Sequence, residues 1–290
     1  MEVKMNKSKA YVDKVIIPTY EVLEENMNPS FAQYGGTGIY PYRLQDTLSK
    51  VKKDKEYEAV ILENDFAQCT ILPEIGGRLY SVVNKTDGTQ WFYKNNVIKP
   101  ALIGQRGAWI SGGVEFNFPI SHNPNTHDRV NYYIRTDCGH ASVFIGNREA
   151  ISDMDWCVEL RLYDDRSFLE QRTILCNENP VPNRYYFWTN AAAEISRNSE
   201  YIYPYDHAVG MPEDGYFEWP GKGSVGSRWD RDYKRSLEFF GKNINKPWSG
   251  LYDHVKGKGL VHISNPRELR GIKIFSWGWC RDADMWSRVS

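Results

Sequence analysis

Short runs of alternating apolar and polar residues, separated by turn-forming residues, dominate this sequence from residue 57 to residue 195. In residues 155–163, DWCVELRLY, every second residue from Trp156 to Leu162 is apolar. A period of two places such residues on one face of a β-strand. No amphipathic pattern of helical period extends beyond about two turns. The sequence therefore predicts an all-β protein, built as a sandwich or a barrel.

The first 55 residues differ from this pattern, because Gly and Pro breakers interrupt them. We interpret residues 1–55 as an N-terminal extension in which residues 15–20 form a first strand and the charged segment 45–55 forms a short helix. Residues 56–290 contain neither a linker nor an internal repeat, which predicts a single β-domain.

The composition excludes several classes of partner. Lys and Arg number 36 against 37 Asp and Glu, so no basic excess exists to attract nucleic acid or an anionic membrane. No segment reaches the roughly 18 apolar residues of a membrane span, and residues 1–20 lack the apolar centre of a signal peptide. The five Cys have no CxxC spacing, which favours free thiols over disulfides or a zinc site. We therefore expect a cytoplasmic protein.

Residues 102–122, LIGQRGAWISGGVEFNFPISH, combine four glycines with ionisable, amide and aromatic side chains. Glycine permits positive φ and close backbone approach, so this mixture suits the floor of a polar pocket. Strand alternation places Glu115 and Asn117 on one face, where a carboxylate and an amide can bind one polyhydroxylated ligand. The alternative is a structural carboxylate paired with Arg78 or Arg106.

Two clusters supply candidate proton donors and acceptors. His122 ends the same strand, seven residues after Glu115, and a His side chain titrates near neutral pH. Asp206 and His207 join a carboxylate to an imidazole, although neighbours on an extended strand point to opposite sides. A structural role is the alternative for each residue. The predicted catalytic residues are Glu115, His122, His207 and Asp206.

Aromatic residues are abundant, with 10 Trp and 19 Tyr. Large sheets explain most of them, but an indole also stacks on the apolar C–H face of a sugar ring. An Arg guanidinium binds hydroxyl groups or orients a carboxylate. Core packing and ordinary ion pairing are the alternatives. The predicted ligand-binding residues are Arg78, Trp109, Asn117, Trp188, Asn190, Asp253, His254, Trp277 and Trp279.

Other site chemistry has no support in the sequence. Fingerprints of phosphate loops, dinucleotide-binding folds, serine hydrolases and zinc proteases are missing from the chain. The six His are too scattered to indicate a metal site. We expect no cofactor, with a divalent cation bound by cleft carboxylates as the open alternative.

Five segments carry a resemblance to a known family. They are ILPEIGGRLYSVVNKTDG (71–88), ALIGQRGAWISGGVEFNFPISHNP (101–124), MDWCVELRLY (154–163), FWTNAAAEI (187–195) and YPYDH (203–207). With them the chain resembles an uncharacterised bacterial domain of unknown function that is often followed by tetratricopeptide repeats. That domain is in turn similar to the galactose mutarotase-like group, which includes the aldose epimerases. The resemblance implies a super-sandwich of two large antiparallel sheets that binds a sugar on its concave face.

Two departures from the aldose epimerases bear on the chemistry. Those enzymes carry a general-acid His in an Asn-His-x-Tyr-Phe-Asn-like motif, and the nearest counterpart here, Trp188-Thr189-Asn190-Ala191, has no His. Their general-base Glu lies on a late strand, and this chain is expected to stop before that strand, as a truncated copy of the domain. The catalytic pair of the epimerases is therefore not transferred to this chain.

Three functions remain open for a carbohydrate ligand. A glycoside hydrolase needs two carboxylates, for which Glu115 with Asp206 or Asp253 would serve. An epimerase or mutarotase needs a base at the anomeric hydroxyl and an acid at the ring oxygen, for which Glu115 with His122 or His207 would serve. The alternative is a carbohydrate-binding or interaction domain without turnover. A tetratricopeptide region in a longer form is the further partner that the resemblance implies.

Overall fold

The computed structural model describes residues 6–26, 39–221, 225–281 and 283. The regular elements in these ranges are antiparallel β-strands, together with one short 3-10 helix at Asp230–Asp232. The predicted all-β class is therefore confirmed. No helix in these ranges is long and apolar enough to cross a lipid bilayer.

The chain divides into two compact units, one up to Ala193 and one from Glu194 onward. Compact units of one chain need not be separately folding domains. The predicted division into an extension and a single β-domain therefore stays a prediction.

The first unit contains two large sheets and one small hairpin. Its strands are β1 Lys9–Val22, β2 Leu48–Glu63, β3 Ala67–Leu72, β4 Arg78–Asn84, β5 Ala101–Gly104, β6 Gly107–Trp109, β7 Val114–Asn117, β8 Asn131–Asp137, β9 His140–Glu149, β10 Met154–Tyr163, β11 Leu169–Cys176 and β12 Trp188–Ala191. The six-stranded sheet has the order β1-β2-β3-β4-β7-β12, and the four-stranded sheet has the order β11-β10-β9-β8. Strands β5 and β6 pair with each other.

The two large sheets enclose one apolar core. The six-stranded sheet contributes residues such as Leu62 and Phe116, and the four-stranded sheet contributes Val143, Trp156 and Val158. The alternation read from β10 thus points its apolar residues inward, as predicted. A second apolar cluster covers other residues of the six-stranded sheet, so this sheet is buried on both faces. The first unit is therefore a β-sandwich.

The predicted N-terminal extension supplies the edge of the six-stranded sheet. Residues 15–20 lie within β1, as predicted, and β1 pairs with β2 from Lys9–Glu63 to Val22–Leu48. The expected helix over residues 45–55 is wrong, because residues 48–55 belong to β2. Pairing with β1 satisfies the backbone of this charged segment, which overrides its weak preference for a helix.

The second unit contains two smaller antiparallel sheets. Its strands are β13 Ser199–Ile202, β14 His207–Gly210, β15 Tyr216–Glu218, β16 Leu237–Lys242, β17 Trp248–Asp253, β18 Lys258–Ile263 and β19 Lys273–Ser276. The orders are β13-β17-β18 and β15-β14-β16-β19. Aromatic residues dominate its core, among them Tyr201, Trp219, Tyr233 and Phe239.

Candidate functional site

Strand β7 carries the predicted alternation. Val114 and Phe116 lie in the sandwich core, whereas Glu115 and Asn117 lie on the opposite face of the strand. Gly113, just before β7, has a φ of 64°, and a Cβ at this position would overlap the carbonyl oxygen of Leu79. Only glycine therefore allows the chain to approach β4 this closely and to enter β7 at this point.

The strands on either side of β7 bring three predicted residues to the face of Glu115. On β12, Asn190 lies directly opposite Glu115, and Trp188 lies opposite Asn117. On β4, Arg78 places its Nη2 atom 3.9 Å from Glu115 Oε1. The register of the sheet thus gathers side chains that are far apart in the sequence.

The carboxylate of Glu115 is 3% exposed and accepts hydrogen bonds from three neutral groups. Trp109 Nε1 donates to Oε2 at 3.2 Å, and Asn190 Nδ2 donates to the same oxygen at 3.3 Å. Thr126 Oγ1 donates to Oε1 at 2.8 Å. These donors replace the water that a buried carboxylate has lost.

His122 adds a titratable partner to the carboxylate. Its Nδ1 lies 3.2 Å from Oε1 and 3.1 Å from Oε2 of Glu115. Burial would raise the pKa of Glu115, but the hydrogen bond and charge of His122, the charge of Arg78 and the hydrogen bond from Thr126 outweigh it and lower the pKa to about 2. Glu115 is therefore ionised at neutral pH and can only accept hydrogen bonds. It follows that Nδ1 of His122 carries the shared proton.

The imidazole of His122 lies between two indole rings. Its centroid is 5.4 Å from that of Trp109 and 5.1 Å from that of Trp188. Trp188 is held in turn, because its Nε1 donates to the carbonyl of Ser121 at 3.2 Å. The side chain of His122 remains 20% exposed, and its hydrogen bonds to the described residues involve Nδ1. Its Nε2 is thus the atom of this centre best placed to meet a ligand.

Arg78 is the buried cation of the centre, with 4% exposure. Its Nη1 donates to the carbonyl of Gly112 at 2.6 Å, while its Nε and Nη2 have no hydrogen-bond partner within the described residues. Burial lowers the pKa of Arg78, and the charge of Glu115 acts in the opposite direction. Arg106, the other cation considered as a partner of Glu115, instead pairs with Asp128 and Glu25.

The loop after β7 positions His122 through a chain of amide contacts. Asn117 is fully buried, and its Oδ1 accepts from the backbone N–H of Asn123 at 2.8 Å. Asn123 Nδ2 in turn donates to the carbonyl of Phe116 at 2.9 Å. Asn117 therefore holds the loop in place. Asn123 and Thr126 were missed from the sequence, where only the turn-forming character of residues 123–126 is visible.

The predicted Asp206–His207 cluster belongs to the second unit. Asp206 Oδ1 lies 3.0 Å from His207 Nδ1, at an angle that does not meet hydrogen-bond geometry. His207 together with Asn243 lowers the pKa of Asp206. The imidazole stacks on Tyr216, with centroids 5.1 Å apart.

The other predicted residues of the second unit have contacts of their own. Asp253 accepts from the backbone N–H groups of Val255 and Lys256, both at 2.9 Å, and so closes the turn between β17 and β18. His254 Nε2 lies 2.8 Å from Glu200 Oε2. The remaining two are Trp277, whose carbonyl accepts from Ser236, and Trp279, whose indole donates to Asp230.

Asp230 is a second buried carboxylate, which the sequence did not reveal. It is 3% exposed and accepts from Tyr201 Oη at 2.6 Å, Ser276 Oγ at 2.6 Å and Trp279 Nε1 at 2.7 Å. Burial and the charge of Asp230 raise the pKa of Tyr201 well above its ordinary value. No local pattern around Asp230 marks it, because all three donors come from distant parts of the chain.

The described residues contain no group of three or more His, Cys, Asp or Glu side chains placed to hold a metal ion. The expectation that the protein needs no cofactor stays a prediction.

The centre in the first unit consists of a carboxylate, an imidazole, a guanidinium, an amide and two indoles. Its predicted members are Arg78, Trp109, Glu115, His122, Trp188 and Asn190.

Comparisons with known proteins extend over nearly the whole chain. A family model described as "Domain of unknown function (DUF5107)" matches residues 35–289. Among solved structures, the chain is similar to a TPR-domain containing protein from Parabacteroides distasonis ATCC 8503, with 27% identity and a TM-score of 0.87 over 99% of this chain and 49% of that one. This chain thus spans about half the length of that protein.

The chain is also similar to the Slr1438 protein from Synechocystis sp. PCC 6803. The identity is 12% and the TM-score 0.50, over 70% of this chain and 75% of that one. At this level of identity, the likeness concerns the fold alone.

Proposed function

The chain belongs to the DUF5107 family, a domain of unknown function, and we propose that it binds a sugar and exchanges protons at the anomeric centre, as an aldose epimerase or mutarotase does. The observation that carries the proposal is the imidazole of His122, held by the ionised Glu115 and flanked by two indole rings. The β-sandwich of the first unit supports the resemblance to the galactose mutarotase-like group.

The geometry assigns separate roles to the two titratable groups. Because Glu115 is ionised and accepts from Nδ1 of His122, Nε2 is the ring nitrogen of His122 that is left to take a proton from the ligand. Nε2 takes the proton of the anomeric hydroxyl while the bond between the anomeric carbon and the ring oxygen breaks, and the ring oxygen gains a proton from water or a second group. Reversal of these steps on the other face of the carbonyl gives the other anomer. Glu115 stabilises the transient imidazolium and fixes its orientation.

Trp109 and Trp188 supply the apolar part of the site. A pyranose ring has a face made of C–H groups, and an indole provides a large rigid surface for it. Trp109 is almost buried and Trp188 is half-buried, so both rings are held by the fold before any ligand arrives. Ring orientation that is fixed in advance lowers the entropy cost of binding.

The same geometry disfavours glycoside hydrolysis. The general acid of a glycosidase is a carboxyl group whose pKa is raised, so that it holds a proton at neutral pH. Glu115 has a pKa lowered to about 2, and three neutral donors and His122 occupy its oxygens. It is suited to positioning the imidazole, and the acid of a hydrolase would have to come from elsewhere.

A non-catalytic carbohydrate-binding domain is the second candidate. The specific observation in its favour is that only one titratable side chain of the centre, His122, combines exposure with a reactive atom. The second group predicted for proton transfer, His207 with Asp206, belongs to the second unit, and its participation remains a proposal.

The similarity to a TPR-domain containing protein suggests a repeat region as partner in a longer form. The predictions made from the composition, a cytoplasmic location and no nucleic-acid or membrane partner, stay predictions.

The test is the interconversion of anomers, followed by ¹H NMR for a panel of free aldoses. Wild type is expected to accelerate the interconversion of at least one sugar, and His122→Gln to lose about 10²- to 10⁴-fold of that rate while it still binds the sugar. His140→Gln, which changes a His of the four-stranded sheet, is the matched control. Binding without acceleration in wild type would favour the binding domain, and failure to bind any sugar would overturn both candidates.

A further inference from the structure

Two further aromatic residues, Tyr186 and Phe187, directly precede Trp188 at the start of β12. Phe187 packs against the sandwich core, so Tyr186 and Trp188 point to the other side of the chain, which is the side of Glu115. The backbone N–H of Tyr186 donates to the carbonyl of Pro119 at 2.6 Å, which extends the pairing of β12 with the end of β7. Tyr186, Trp188 and Asn190 therefore form one row that ends at the carboxylate.

The two rings of this row are neighbours with nearly parallel planes. Their centroids are 6.3 Å apart and their planes differ by 25°, as expected for residues two positions apart on an extended strand. Tyr186 is 47% exposed and Trp188 is half-buried, so exposure increases with distance from Glu115. A single exposed aromatic residue needs no explanation, but two nearly parallel neighbouring rings beside an imidazole that is 20% exposed form a continuous aromatic surface.

We infer that the ligand of this site is a glycan of at least two sugar residues, with its terminal residue at His122 and the next one on Tyr186. This inference rests on the proposed function. A single pyranose ring covers one aromatic ring, so a site for a free monosaccharide is complete with the two indoles beside His122. The ring of Tyr186 lies 6.3 Å beyond that of Trp188 and is more exposed, so a second sugar residue would meet it.

The chemistry of the row favours a glycan over an apolar peptide. Aromatic rings beside amide and carbonyl groups bind a ligand that offers C–H faces and hydroxyl edges together. Asn190 at the inner end of the row is polar, and so is the Ser121 carbonyl, which accepts from Trp188 Nε1. The row therefore alternates stacking surfaces with hydrogen-bonding groups.

The experiment compares ligands of increasing length. Isothermal titration calorimetry would measure the binding of glucose, galactose and mannose, and of their di- and trisaccharides, to wild type and Tyr186→Ala. We expect wild type to bind the best trisaccharide at least about tenfold more tightly than its monosaccharide, in line with the loss of about tenfold for one stacking ring. Tyr186→Ala should remove this gain and change monosaccharide affinity less than about twofold.

Two variants serve as controls. Tyr186→Phe keeps the ring and should keep the gain, which shows that the surface rather than the hydroxyl is responsible. Tyr133→Ala removes another exposed Tyr that neighbours an aromatic ring, on the four-stranded sheet, and should change nothing.

The outcomes separate this inference from the proposed function. Equal affinity for mono- and trisaccharides in wild type, or equal loss for both in Tyr186→Ala, would overturn the inference and leave the proposed function intact. Failure of wild type to bind any of these sugars would overturn both. Thermal unfolding of each variant verifies that the fold is retained.

Discussion

Two carboxylates in this molecule share the same burial but differ in their partners. Glu115 in the first unit and Asp230 in the second are each 3% exposed. Each accepts a hydrogen bond from a Trp indole and from at least one hydroxyl group. By burial alone, or by the number of neutral donors, they are equivalent.

The difference lies in the charged groups around them. The three donors of Asp230 are two hydroxyls and an indole, at 2.6 to 2.7 Å, and none of them changes charge near neutral pH. Glu115 has longer neutral contacts, of 2.8 to 3.3 Å, together with the imidazole of His122 and the guanidinium of Arg78. A carboxylate that accepts short hydrogen bonds from neutral donors alone holds separate segments together, whereas one that shares a proton with a partly exposed imidazole influences chemistry outside the core.

The two carboxylates should differ most in their effect on turnover. If Glu115 acts through the imidazole, Glu115→Gln should reduce anomer interconversion by about 10²-fold or more, since the amide no longer stabilises the imidazolium. Asp230→Asn should leave the rate per folded molecule unchanged. The measurement is the initial rate by ¹H NMR, normalised to the folded fraction. Equal losses in both variants would mean that the two carboxylates do not differ in function.

The sequence predicted the strand face on which Glu115 lies but not all the side chains that contact its carboxylate. Alternation in residues 114–117 is local, so the orientation of Glu115 and Asn117 followed directly from the strand period. The pairing of Asn190 with Glu115 joins residues 75 positions apart, and only the register of the completed sheet determines it.

Other features of the structure could not be predicted from the sequence, because contacts between distant residues determine them. The lysine-rich segment 48–55 has the composition of a helix, and pairing with β1 makes it a strand. The turn that returns Thr126 to the carboxylate is held by Asn117 and Asn123, whose amide contacts cannot be inferred from spacing. For Asp230, no local motif marks the carboxylate, since Tyr201 lies 29 residues before it and Ser276 and Trp279 lie 46 and 49 residues after it.

The second test concerns stability. Removing the charge of Glu115 leaves Arg78 buried without a counter-charge, so Glu115→Gln should lower the free energy of unfolding by about 3 to 5 kcal/mol. Asp230→Asn weakens hydrogen bonds from neutral donors and leaves no hydrogen-bonded cation without its partner, so it should cost about 1 to 3 kcal/mol. Urea unfolding measures both. The double variant Glu115→Gln with Arg78→Met should recover part of the loss, and a strictly additive result would contradict a charge interaction.

The third test uses pH. The pKa of Glu115 is about 2 in the folded protein and near 4.5 in the unfolded chain, so its ionised form stabilises the fold above pH 4.5, and this contribution is lost as the pH falls toward 2. The loss amounts to about 3 kcal/mol. The difference in unfolding free energy between wild type and Glu115→Gln should therefore shrink over this range. A difference that stays constant with pH would contradict the charge assignment.

Glu63 provides the control for the third test. Burial would raise its pKa, but hydrogen bonds from Lys85 and Lys9 outweigh this effect and lower it to about 2. Lys9 is 64% exposed, so salt should weaken this interaction. The guanidinium beside Glu115 is 4% exposed, and its interaction should persist in 0.5 M NaCl, a concentration at which the Debye length is only about 4 Å.

The smallest expected effects come from removing a single hydroxyl donor at each carboxylate, and this pair of variants compares the two sites most directly. Thr126→Val and Ser276→Ala each remove one hydroxyl that donates to a buried carboxylate, at 2.8 Å and 2.6 Å respectively. Each should cost about 1 to 2 kcal/mol in urea unfolding. The two should differ in turnover, because the Glu115 carboxylate freed by Thr126→Val loses part of its fixed geometry toward His122, which should slow anomer interconversion by about three- to tenfold. Ser276→Ala should leave that rate unchanged, and an equal slowing would show that turnover follows general stability rather than the position of the imidazole.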